Sequence, residues 1–152
     1  MEKSKEVEIG YSREEIRLMA SGYGVLVAIR QLARHMATPA KTGFFISVPQ
    51  ILSIAERLGI AAMPRNDRQW FFEEVLKTAF DADKLREFLD ELDALAAAHI
   101  EALKGLASQY PKAGELWKWS IENAEAFRSK VREVARLYER FVRLKEENRE
   151  AR

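Results

Sequence analysis

From Trp117 to Phe141 the apolar residues Trp117, Ala124, Phe127, Val131, Val134, Tyr138 and Phe141 stand 7, 3, 4, 3, 4 and 3 positions apart. That near-heptad seam commits the C-terminal third of the chain to one long helix, because helical winding is what gathers such positions onto one side. A helix with a single apolar face must cover it with another element. Leu85, Phe88, Leu89, Leu92, Leu95, Ala96, His99, Leu103 and Leu106 supply a second face at i, i+3, i+4 spacing. Asp81 or Asp83 is placed to cap this fourth helix, which runs to about Ser108 before Gln109-Tyr110-Pro111 breaks it. The last helix then begins near Lys112 or Gly114 and continues almost to Arg152.

The rest of the chain reads the same way. Residues 1–11 form a polar arm, expected to be flexible. Ser12 and Glu15 fit a capping box, in which each side chain satisfies an unpaired backbone donor, so a first helix opens at Ser12. It should close near Ala37, since the residue before Pro39 avoids helical geometry. Thr38 to Pro49 lacks helical periodicity and suggests an extended linker pinned by Phe44 and Phe45. A second helix from about Pro49 to Leu58 is closed by Gly59, and Asn66 or Asp67 caps a third across DRQWFFEEVLKTAF. No stretch alternates like a strand. The expected fold is all-α: about five helices, a four-helix-bundle-like core, an extended N-terminal helix and a long C-terminal one. Residues 12–47 would form the N-terminal helix and linker, and 48–152 the bundle.

The N-terminal helix carries the functional question. At about 100° per residue, Arg13, Arg17, Ala20, Gly24, Gln31, Arg34 and His35 share one side, and Leu18, Val25, Leu26, Ile29, Leu32, Ala33 and Met36 the other. Glycine in a helix costs about 1 kcal/mol relative to alanine, and Gly22 and Gly24 both occur here. A helix that tolerates this among arginines suits close approach by something bulky and anionic. The net charge of +1 hides an uneven distribution. Residues 1–15 carry three Lys/Arg and five Asp/Glu, residues 16–72 seven and two, and residues 73–152 fifteen and seventeen. The excess of +5 in the middle segment points to an anionic partner, against the plainer account of a solvated mixed-charge surface.

Several functions lack their ingredients. Cysteine is absent, which removes disulfides, thiolate metal sites and thiol nucleophiles. His35 and His99 lie in different helices with no HExxH spacing, so no metal or other cofactor is expected. Gly22-Tyr23-Gly24 lacks the third glycine and the strand-to-helix turn of a dinucleotide site, and there is no Walker sequence or nucleophile elbow. No set of catalytic groups converges, and the expectation is a protein that is not an enzyme. The longest strongly apolar run, Val25 to Ile29, is far short of a membrane span, and MEKSKEVEIG has no signal-peptide core. Trp70, Phe71 and Phe72 cannot all face one core, so one of them should be exposed or at an interface, as should part of the Trp117 and Trp119 pair.

The order of features resembles a known family. A basic N-terminal helix is followed by GFFISVPQILSI, a helix ending ERLGI, the turn MPRNDRQW and two helices joined through ASQYP. Over roughly Gly22 to Trp117, with anchors at Gly43, Phe45, Val48, Pro49, Leu58-Gly59-Ile60 and Pro64-Arg65-Asn66, this succession is similar to the major capsid proteins of rod-shaped and filamentous archaeal double-stranded DNA viruses (rudivirus, lipothrixvirus and tristromavirus types). The resemblance implies subunits paired as homodimers or with a paralogous capsid protein, stacked into a helical filament around linear double-stranded DNA held in A-form. Filamentous members add a lipid envelope. It implies a virion location, with Arg13, Arg17, Arg30, Arg34 and Lys41 on the DNA backbone and Gly22 and Gly24 easing close approach. Two features depart from the pattern: Glu14 and Glu15 sit beside Arg13, and the overall charge of +1 is low for a DNA coat; the long charged C-terminal helix exceeds that of the rod-shaped members and favours a filamentous relative. The alternative is a cytosolic helical interaction module, or a small subunit of a multiprotein or ribonucleoprotein complex.

Overall fold

The computed structural model describes residues 12–150, and the arm at 1–11 lies outside them. The fold is all-α. The helices are α1 (Arg13–Ala20), α2 (Tyr23–Met36), α3 (Pro39–Thr42), α4 (Val48–Leu58), α5 (Arg68–Asp81), α6 (Leu85–Gln109) and α7 (Gly114–Glu150), with a 3-10 turn at Pro111–Ala113 before α7.

The frame is the antiparallel pair α6 and α7. Arg128 Nε and Nη2 donate to the two carboxylate oxygens of Asp93 at 2.8 and 3.1 Å, and Arg86 reaches Glu139 further along. Ala124, Phe127, Val131, Val134 and Tyr138 of the α7 seam are buried, as are Leu85, Phe88, Leu89, Leu92, Ala96 and Leu103 of α6. Helices α2 and α5 pack over this pair and α4 closes one side. Val25, Ile29, Leu32, Ala33 and Met36 of α2 belong to the same core as the rest, so segment 12–47 is continuous in packing with the bundle.

Local chemistry sets the helix ends. The Ser12–Glu15 capping box is formed, with Ser12 N–H donating to Glu15 Oε1 at 2.7 Å and Glu15 N–H to Ser12 Oγ at 3.1 Å. A second box, Ser47 with Gln50, opens α4. Asp67 caps α5 by accepting from Trp70 N–H at 3.0 Å. Gly59 ends α4 at φ 72°, where Ile60 N–H donates to the Ala55 carbonyl at 2.8 Å.

Three expectations are corrected. The N-terminal helix is two helices: Ser21 Oγ donates back to the Leu18 carbonyl, Gly22 takes φ 87°, and α1 is redirected onto α7. Leu18 is therefore exposed, at 51%, instead of lying on a core face. The linker contains α3, which Gly43 ends at φ 80°. Phe44 is buried there, whereas Phe45 is 58% exposed under the Arg68 guanidinium, 4.4 Å from its ring centre. Finally, neither aspartate caps α6. Asp83 takes φ 59° as the left-handed residue closing α5, with Lys84 N–H donating to the Ala79 carbonyl at 2.8 Å.

Candidate nucleic-acid interface

The break at Gly22 reorganises the basic face read from the sequence. Gly22 is buried, and a Cβ added to it would lie 2.9 Å from Phe80 Cζ and 3.3 Å from Phe141 Cε1. It is a hinge residue fitted to the Phe80–Tyr138–Phe141 cluster and does not line an open surface. Gly24 differs: it is helical, and a Cβ there would meet nothing within 4 Å. Arg13 and Arg17 remain exposed on α1, across the break from the cations of α2.

Arg30 is partly committed elsewhere. Its Nε lies 3.3 Å from Glu73 Oε2, a largely buried carboxylate that Lys77 also approaches at 3.3 Å. That contact ties α2 to α5 and offsets the arginine's charge. Arg34 and Lys41 are exposed, and among the described residues neither makes an ion pair.

Arg34 and Lys41 converge with a residue of α7. The imidazole of His35 is held below its ordinary pKa, first by partial burial, then by the positive charges of Lys130, Lys41 and Arg34. Three cations from three helices thus act on one half-buried ring, and no carboxylate is among the causes. Several other cations are matched: Arg57 with Glu91, Arg65 with Glu74, Arg86 with Asp90 and Glu139, Arg128 and Arg132 with Asp93.

Beside this cluster α2 and α7 run antiparallel, Gly22 near Phe141 at one end and His35 near Lys130 at the other. Between them lies a groove of about 420 Å³. Ala28, Val134 and Leu137 line it with apolar atoms, and Gln31, Lys130, Glu133, Arg136 and Arg140 with polar ones. The α7 cations were not legible as site residues from the sequence. Arg128 and Arg132, on the same helix, are consumed by Asp93, 35 positions away from Arg128, and nothing local separates them from Lys130 and Arg136.

His99 is half-buried and stacks on Phe44 with ring centres 4.6 Å apart. Its Nε2 is buried without a hydrogen-bond partner, and desolvation lowers its pKa against the raising effect of a hydrogen bond to the Gly43 backbone. No cluster of three or more His, Asp or Glu that could hold a metal occurs among the described residues. Of the three consecutive aromatics, Trp70 is exposed at 47% beneath Arg65, while Phe71 and Phe72 are buried. Tyr110, Leu116 and Trp119 are exposed where α6 gives way to α7. No helix among the described residues is long and apolar enough to cross a membrane. The chain matches no family model, no curated protein and no solved structure.

Proposed function

We propose that this chain is a structural subunit that coats linear double-stranded DNA, holding the phosphate backbone without sequence preference and polymerising as dimers, with itself or a paralogous partner, into a helical filament. The observation that carries the reading is the combined positive charge of Arg34, Lys41 and Lys130 acting on His35, with Arg34 and Lys41 exposed and in no ion pair among the described residues. Concentrated positive charge raises the local density of a polyanion and gives charge-assisted hydrogen bonds to phosphate oxygens. The groups presented are mainly backbone contacts, which position a duplex without reading it.

A single subunit offering a handful of cations binds weakly at physiological salt, because affinity follows the number of phosphates neutralised. Repetition along a polymer supplies the remainder through effective concentration. Exposed Tyr110, Leu116 and Trp119 are of the kind that self-association uses.

The test combines imaging of mixtures with linear duplex DNA and salt-dependent binding, using R17E/R34E. Both positions are exposed and make no ion pair among the described residues, so the fold should persist while binding collapses. A chain that neither polymerises nor binds duplex DNA in a salt-dependent manner, alone or with a partner, refutes the proposal. The exposed aromatic rings of Trp70 and Phe45, stacked on Arg65 and Arg68, favour a second reading, an interaction module within a larger complex. It requires a defined heteromeric assembly and no filament.

A further inference from the structure

We propose that the groove between α2 and α7 is a second binding site for the phosphodiester backbone of a duplex, held by Lys130 and Arg136 with Gln31, so that the DNA-facing surface includes the C-terminal helix. This rests on the coat reading and assigns the groove within it.

Four observations carry it. The rim brings Lys130 and Arg136, with the single carboxylate Glu133, to a groove of about 420 Å³. Lys130 and Arg136 make no ion pair among the described residues, unlike Arg128 and Arg132 on the same helix. The site adjoins the first cluster, since Lys130 lines the groove and its charge also acts on His35, as do those of Lys41 and Arg34. Finally, Gly24, Ala28, Gln31 and His35 fall at i, i+4, i+7 and i+11, one stripe of α2 that leads from open space at Gly24 through the groove to the cluster.

Size and chemistry agree with an extended phosphate chain better than with an isolated anion. Lys130 to Arg140 spans ten residues, about 15 Å of helix. A DNA strand carries one charge per about 3.4 Å of axis, so this length faces about four phosphates. Ala28, Val134 and Leu137 give the sugars an apolar floor, and Gln31 adds amide donors.

The test uses the full chain, a fluorescent linear duplex, and inorganic phosphate at matched ionic strength. K130Q/R136Q should lower the slope of log affinity against log salt by about 2, since each lost phosphate contact removes about 0.9. At 0.1 M salt this amounts to about tenfold weaker binding per cation. K112Q/K118Q removes the same charge from the turn before α7 and from its first turns, with the nearer Lys118 about 18 Å along the helix from Lys130, and should leave the slope almost unchanged. R136Q alone, at an exposed position, should lower it by about 1 and serves if the double variant is destabilised. An independent signal comes from NMR titration of His35, whose pKa should rise when duplex phosphate arrives, and rise less in K130Q/R136Q.

If K130Q/R136Q keeps the parental slope while R17E/R34E loses binding, the groove assignment is overturned and the coat reading stands. If the parent does not bind duplex at all, the coat reading fails. Should inorganic phosphate then still shift His35 in the parent but not in K130Q/R136Q, the groove is a small-anion site and the duplex assignment falls.

Discussion

Replacing Gly43 by alanine tests how α3 is joined to the bundle. Gly43 sits at φ 80°, and an added Cβ would overlap the Ser120 carbonyl oxygen, come within 2.8 Å of Ala124 N and lie 3.2 Å from Asn123 Cβ. Two of these obstacles are α7 backbone, which cannot rotate aside as a side chain can. The left-handed conformation costs a non-glycine residue about 1–2 kcal/mol. Forcing packed elements apart adds about 1–3 kcal/mol. The shift also disturbs the hydrogen bond from Ser120 Oγ to the Gly43 carbonyl and the seat of buried Phe44 against His99 and Phe127. The sum is roughly 2–5 kcal/mol, and at about 2–4 °C per kcal/mol for a domain of this size Tm falls by roughly 5–20 °C. Thermal melting by circular dichroism, with urea titration to confirm an unchanged m-value, reads it directly.

G24A is the matched control. It adds the same methyl group at a helical glycine whose Cβ position is open. The expected effect is a stabilisation of up to about 1 kcal/mol. If G43A melts within about 2 °C of the parent, or G24A loses as much as G43A, the geometric reasoning is wrong at both positions.

Three further outcomes are expected. Both histidines have folded-state pKa values lowered from about 6.5, so the native state binds fewer protons than the unfolded chain; their contribution is complete above that pH and is lost as pH falls through the lowered values. H35Q/H99Q should flatten the fall in Tm between pH 7 and 5, and an unchanged profile contradicts this. Asp93 is held below its usual range, first by its hydrogen bond with Arg128 and then by the charges of Arg128 and Arg132, against opposing desolvation. Its stabilisation exists above about pH 4 and disappears as pH falls through the depressed value, so D93N should lower stability at pH 7 and converge on the parent in acid. Arg68 donates to the carbonyls of Ala37 and Ile46 at 3.1 and 2.6 Å while covering Phe45. R68A should therefore cost about 2–3 kcal/mol in urea unfolding, with R68K recovering less than half because an ammonium lacks the planar fork.

Periodicity and caps made most of the architecture legible. The α7 seam, the α6 face, the Ser12–Glu15 box, the Asp67 cap and the Gly59 terminus all rest on interactions within a few residues. The misplaced features depend on partners distant in sequence. Gly22 breaks the N-terminal helix where Phe80 and Phe141 crowd it from two other helices. Ser47-Val48-Pro49-Gln50 did carry a readable signal, a capping-box spacing with proline in the first turn, which places the start of α4 at Val48. Asp83 is ambiguous in the sequence, because aspartate suits both an N-cap and a left-handed closing position.

Charge was legible in amount and not in availability. The sequence places fifteen cations and seventeen anions after residue 72, which reads as a mildly acidic surface. Tertiary pairing divides them: Asp93 takes Arg128 and Arg132, Glu139 takes Arg86, and Lys130 and Arg136 are left beside α2. The converse holds in the basic segment, where Arg30, Arg57 and Arg65 are matched by carboxylates and Arg68 is spent on two backbone carbonyls. What a polyanion meets is the remainder after pairing, and that remainder lies across α1, α2, α3 and α7. Truncating the chain before Lys130 would therefore remove both the core support of α2 and a cation of the cluster, whereas K130Q removes only the cation. Comparing K130Q with R34Q, one cation from each side of His35, should give equal losses in salt slope if the surface acts as one site, and unequal losses if α2 alone carries the contact.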